Sequence, residues 1–193
     1  KGFTVTVVTS VTDESLEKLL SDANQFWLIG SNQKLLSDKQ VTRIADEWRG
    51  GMGMYVFGDN EPFYVDTNRL LAEMGLPLMT GNYTASQHLS PYSPASGQGF
   101  VGSAPMTGIT ARLYEGVTIA EFSAHDVEKT GSTAIMYNSR GCISVIMRDA
   151  AKGCGQVIAD GAFTKLFCQY DAAGSRWLVV NSACYLAADF SVP

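Results

Sequence analysis

The sequence predicts an α/β domain in which a mainly parallel sheet is covered by helices on both faces and closes with an antiparallel C-terminal hairpin. Three observations lead there. The apolar runs Phe3-Thr4-Val5-Thr6-Val7-Val8, Phe26-Trp27-Leu28-Ile29 and Met54-Tyr55-Val56-Phe57 are nearly continuous, as strands buried on both faces are. A stretch with helical spacing follows each run. Later in the chain come short strand-like pieces, the last two separated by a Gly-containing turn.

Each element has its own local cause. The first run is β-branched and ends at Thr9-Ser10, after which Thr12 is placed to cap a helix whose Leu16, Leu19, Leu20 and Ala23 recur at i, i+3, i+4 and i+7. The second run stops at Gly30-Ser31. Ser37 and Gln40 then have capping-box spacing ahead of the apolar stripe Val41, Ile44, Ala45 and Trp48, which Gly50-Gly51 ends. The third run ends at Gly58-Asp59-Asn60, where Asn60 is placed to cap a helix opening with Pro62 and closing at Gly75. Right-handed crossovers then bring the C-terminal ends of all three strands to one edge of the sheet. From about 80 to 107 the chain is rich in Gly, Ser, Pro and Tyr without apolar periodicity, which predicts a long loop. Strand-like pieces follow at 117–120, 134–137, 143–147 and 156–159, the last two joined through Gly153-Cys154-Gly155. Trp177, Val180, Cys184 and Ala187 predict a closing helix.

Composition narrows the functional classes. A chain of 193 residues with 46% hydrophobic content reads as one domain, 1-193, able to build a core without staples. No stretch has the roughly 18 uncharged apolar residues of a membrane span. Nineteen acidic residues against fourteen basic ones, a net charge of -5 and no basic cluster argue against a nucleic-acid partner. Cys142, Cys154, Cys168 and Cys184 match no zinc spacing. They read as free, largely buried thiols, which favours an intracellular compartment, although the sequon Asn82-Tyr83-Thr84 would suit a secreted protein. A start at Lys1 rather than Met fits a processed product or a domain excised from a larger polypeptide.

Three segments carry a family resemblance. Gly50-Gly51-Met52-Gly53-Met54-Tyr55-Val56-Phe57-Gly58-Asp59 is a Gly-rich helix end leading into a strand and a sharp turn. Ala104-Pro105-Met106-Thr107-Gly108-Ile109 is similar to a His-Pro-Ile-Thr-x-Gly-Leu segment with Ala104 in the His position, and Lys152-Gly153-Cys154-Gly155-Gln156-Val157 is similar to a hairpin turn into a last strand. Together they resemble the class I glutamine amidotransferase-like superfamily, most closely its ThuA-like (trehalose-utilisation) branch. The resemblance implies a three-layer, flavodoxin-like or amidotransferase-like sheet. It also implies a Cys nucleophile on a strand-to-helix elbow, activated by a His. The matching turn, Phe57-Gly58-Asp59-Asn60, has no thiol, and Cys154 precedes a strand instead of opening a helix. Glutaminase chemistry is therefore expected to be absent.

Open parallel sheets bind ligands outside the C-terminal ends of their strands. Ser10, Ser31, Gly58, Asp59, Asn60, Tyr64, Asp66 and Asp160 are accordingly the expected ligand-binding residues. Asp59 could act as a base or hold a divalent cation, while a plainer reading has Asp59 and Asn60 capping a helix whose first turn carries acidic residues. Asp160 either faces the same edge or is a turn residue before Gly161. His88, in the long loop, and His125, after a strand, are the two candidate general bases. Arg112, Tyr114 and Glu115 read as architecture.

The leading expectation is a non-catalytic or weakly catalytic amidotransferase-like module that binds a small polar ligand or a protein partner at this edge, with no required cofactor. The alternatives are a ThuA-like hydrolase or sugar-modifying enzyme using Asp59 with His88 or a divalent cation, and an interaction domain of a larger polypeptide.

Overall fold

The computed structural model describes residues 2–187. Helix α1 (Asp13–Ser21) starts where Thr12 and Ser15 cap each other reciprocally, and it buries Leu16 and Leu20. Helix α2 (Asp38–Arg49) begins with the Ser37–Gln40 capping box and buries Val41, Ile44, Ala45 and Trp48. Between and after them run β1 (Gln25–Ile29) and β2 (Gly53–Phe57), paired in parallel with Phe26 opposite Met54.

The expected first strand does not form. Residues 3–8 are exposed and pair with no strand among the described residues, because β-branched side chains favour a strand only where a neighbour supplies a ladder. The third parallel strand comes instead from far along the chain.

Helix α3 (Val65–Glu73) starts later than its predicted opening at Pro62. Its N-cap is Tyr64, which makes no side-chain cap bond, while the Asn60 side-chain oxygen Oδ1 accepts the Thr118 hydroxyl at 2.6 Å. Asn60 is therefore a tie to another strand and not a cap. Gly75, with φ of +67°, ends the helical stretch as expected.

The predicted loop from 80 to 107 is also more ordered than its composition suggests. It contains most of β3 (Met79–Thr84), then β4 (His88–Leu89), β5 (Gly99–Phe100) and a 3-10 turn at Ala104–Met106. Next come β6 (Leu113–Tyr114), β7 (Thr118–Phe122), α4 (Ala124–Lys129), β8 (Thr133–Tyr137), β9 (Ile143–Arg148) and β10 (Val157–Asp160). A 3-10 turn at Phe163–Leu166 and helix α5 (Ser175–Leu186) follow. Helix α5 exists where predicted, but on a different face: Leu178, Tyr185 and Leu186 are buried, whereas Trp177 and Cys184 are exposed.

The main sheet is mixed, in the order β1-β2-β10-β9-β7-β3, with β8 on β9 and β5 on β8. Strands β1, β2 and β10 run in parallel, and the remaining pairings are antiparallel, including β9 with β10. A small second sheet joins β4 to β6. Strand β2 is buried on both faces, and its side chains alternate between two cores. Met54 and Val56 pack with the leucines of α1 and α3 and the stripe of α2, while Tyr55 and Phe57 pack with Leu178, Tyr185 and Leu186 of α5. No helix among the described residues is long and apolar enough to cross a membrane.

Candidate functional site

Strands β2 and β10 end side by side, with Phe57 opposite Asp160, and the Gly58 N–H donates to the Asp160 carbonyl at 2.9 Å. Asp160, the last residue of β10, thus lies at the C-terminal end of the parallel strands and also heads the turn into Ala162, so both of its expected placements hold. Its carboxylate is fully buried and fully engaged. Lys165 Nζ, carried back by the turn at Phe163–Leu166, donates to Oδ1 at 2.8 Å and Oδ2 at 2.9 Å. The Ala162 N–H adds 3.0 Å to Oδ1, and the Tyr55 hydroxyl donates to Oδ2 at 3.1 Å. Burial, reinforced by the Asp160 charge, holds the Tyr55 hydroxyl well above its usual range, so it stays a donor.

Asp59 follows directly and is buried, with Oδ1 lacking any partner. Burial raises its carboxyl from an ordinary 3.8 to about 6, opposed by the Asn60 N–H, raised further by the Asp160 charge and lowered by Lys165. A carboxyl so poised can exchange a proton near neutral pH. Its acidic neighbour Asp160 is already paired with Lys165, and among the described residues no three His, Cys, Asp or Glu come together.

The other candidates have structural partners. Asp66 is buried, and its Oδ2 accepts the N–H groups of Leu35 at 2.7 Å and Leu36 at 3.0 Å while Oδ1 takes Arg69 at 2.5 Å. It staples the loop after β1 to the start of α3. The Ser31 carbonyl accepts the Val65 N–H at 3.1 Å, and its hydroxyl bonds within its own turn to Gln33. Tyr64 is half-buried at the head of α3, and a Cβ on Gly58 would come within 2.9 Å of the Tyr64 Cβ. Ser10 is exposed and not at a strand end; its neighbour Val11 is tied by its carbonyl to the Gln40 side chain at 3.2 Å.

The two histidines lie apart from this cluster. His88 is exposed on β4 with its ring 5.4 Å from Tyr114, and His125 is exposed in the first turn of α4. His88 lines a surface groove of about 240 Å³ with Ser90, Ser93, Ser96 and Gln98, and neither Asp59 nor Asp160 belongs to its lining. The cysteines are free, but three are half-buried and Cys184 is exposed, so they are not the buried thiols expected.

No family model matches the chain, and no curated protein does. A solved structure titled "mmIFT52 N-terminal domain" superposes on this chain with a TM-score of 0.67 at 14% identity, over 94% of this chain and 84% of its own. The likeness is one of fold.

Residue-level reasoning missed Tyr55 and the role of Lys165, because their meeting with Asp160 depends on which strand lies beside β2. It did place Glu115 in the architecture. That side chain is fully buried and accepts the N–H groups of Gln87 at 2.9 Å and Ser139 at 2.8 Å, and the Ser139 hydroxyl at 2.9 Å.

Proposed function

We propose that this chain is a non-catalytic binding module, amidotransferase-like in descent, that docks a protein partner on the C-terminal end of its parallel strands. One observation carries the reading. That end displays exposed apolar side chains around the buried, internally paired Asp160 and Lys165. The loop after β1, stapled by Asp66, presents Leu35 at 62% exposure, and the segment between β2 and α3 presents Phe63 at 41%. Beyond β10, Phe167 is 63% exposed. Exposed apolar groups on a well-fixed surface suit a protein partner better than a small polar ligand. The missing thiol at Phe57-Gly58-Asp59-Asn60 supports a non-catalytic role.

The test compares the wild-type chain with a Phe63→Asp, Phe167→Asp double variant as baits in source-cell extract, with folding verified by circular dichroism. Specific co-purifying proteins should be lost with the variant. Equal capture by both would overturn docking at this surface.

A second reading has Asp59 as the base of a weak hydrolase or sugar-modifying activity, favoured by its unpartnered Oδ1 and raised carboxyl. It predicts turnover on a panel of sugars and amides that Asp59→Asn abolishes without unfolding the chain. Absence of wild-type turnover on that panel would remove it.

A further inference from the structure

Residues 3–8 have the composition of a strand and none of its contacts. Phe3, Val5 and Val7 alternate with Thr4 and Thr6, the period-2 pattern of a sheet strand with one apolar face. Val5 is 78% exposed and Val7 84%, the two highest values among the exposed large apolar residues described. Among the described residues, no backbone–backbone hydrogen bond involves residues 3–8. Water solvates such a segment only at a cost in apolar hydration.

The complementary feature lies in the same chain. Strand β1 is the last strand of the main sheet on its side and pairs with β2 alone, so its other edge carries unpaired backbone donors and acceptors. Gln25–Ile29 spans five residues, which the segment 3–8 is long enough to cover. The two faces agree as well. Phe26 and Leu28 of β1 pack toward the core under α1, α2 and α3, so Phe3, Val5 and Val7 of an added strand would extend that apolar surface while the threonines face the other side.

We propose that the β1 edge is a strand-acceptor site and that its occupant is the 3–8 arm of a second copy of this chain, each copy lending its arm to the other. The chain carries both halves of the pairing and does not join them within itself. Reciprocal exchange between two copies satisfies both at once, by main-chain hydrogen bonds along the edge and burial of Val5 and Val7. The root of the arm is fixed: Val11 packs against the core and its carbonyl is held by Gln40, and Thr12 caps α1. The hinge is therefore confined to residues 9–10. This interface uses the side of the sheet and not its C-terminal end, so it stands independently of the docking surface proposed above.

The experiment measures mass by sedimentation velocity over a concentration series, for the wild-type chain and for a Val5→Pro, Thr6→Pro variant. Successive N–H groups of a strand face opposite edges, so one proline removes a donor toward β1 in either register, and neither touches anything in the described fold. Hydrogen exchange is followed in parallel at the lowest and highest concentrations. The wild type should double its mass with rising concentration, gaining protection at residues 3–8 and 25–29, and the variant should stay monomeric with the same melting temperature as the dissociated wild type. A wild type that stays monomeric throughout overturns the proposal. So does an arm protected equally at all concentrations, which would mean closure within one chain, and so does a dimer that the proline pair leaves intact.

Discussion

Lys165 Nζ sits 2.8 and 2.9 Å from the two carboxylate oxygens of Asp160, and neither side chain reaches solvent. Two charges taken from water are tolerated because each completes the other and because Tyr55 and Ala162 supply further donors. The pair closes the end of the parallel strands: it ties the turn after β10 back onto the strand ends.

Breaking that pair from one side should be much worse than removing both charges. Lys165→Met is expected to cost about 3–5 kcal/mol in urea unfolding, since it leaves a buried carboxylate without its counter-charge. Adding Asp160→Asn should recover a large part of the loss. A double variant as unstable as the single one would show that the lysine acts through its packing alone.

Asp59 makes stability depend on pH in a defined direction. Its carboxyl titrates at about 6 in the fold against 3.8 ordinarily, so between those values the folded chain holds a proton that the unfolded chain has released. Stability therefore falls as pH rises through that window, and the full penalty is present above it. Asp59→Asn should gain on the order of 2 kcal/mol at about pH 8, with the difference gone near about pH 4. Denaturation curves for both proteins across that range measure it, and a constant difference would contradict the assignment.

The crossing of Gly30 under α3 is expected to tolerate no side chain. A Cβ there would lie 2.4 Å from the Thr67 hydroxyl and 3.0 Å from the carbonyl oxygens of Phe57 and Phe63. Thr67 also donates to the Phe57 carbonyl at 2.6 Å, so it cannot withdraw without losing that bond. Gly30→Ala should destabilise by about 1–3 kcal/mol through overpacking. Gly102, with open space around it and no positive φ, is the control, and Gly102→Ala should be neutral or slightly stabilising. Thermal unfolding of the two variants compares them directly.

Asp66→Ala should release the loop that follows β1. The substitution removes the acceptor of the Leu35 and Leu36 N–H groups and one partner of Arg69, at a cost of about 2–4 kcal/mol. Hydrogen exchange should quicken at residues 35 and 36 before the β2 amides respond. Unchanged protection there would rule out the staple.

Much of the first half of the chain was legible because its signals are local. The caps at Thr12 and Ser37 and the stripe from Val41 to Trp48 need only neighbours within a turn or two, and they form as read. The continuous apolar runs that became β1 and β2 were equally clear, as were the pieces that became β8, β9 and β10. The misreadings share another character. Residues 3–8 look like a strand but no strand lies beside them; Asn60 looks like a cap but Thr118 holds it; residues 80–107 lack periodicity yet pair with distant strands. In the candidate site, acidity at Asp59, Asp66 and Asp160 was visible at once, but their roles were not.

By itself the sequence determined an α/β chain with helices started by named caps, the apolar runs that form β1 and β2, and carboxylates at the strand ends. Tertiary structure alone decided that β10 lies beside β2, and with it everything that distinguishes the three carboxylates. That neighbour brings Lys165 and Tyr55 onto Asp160, leaves Asp59 buried with one oxygen unpaired, and leaves Asp66 as a staple between loop and helix. The physical reason is range: caps and amphipathic stripes are settled within one turn of chain, whereas the fate of a charge depends on which remote groups share its low-dielectric surroundings.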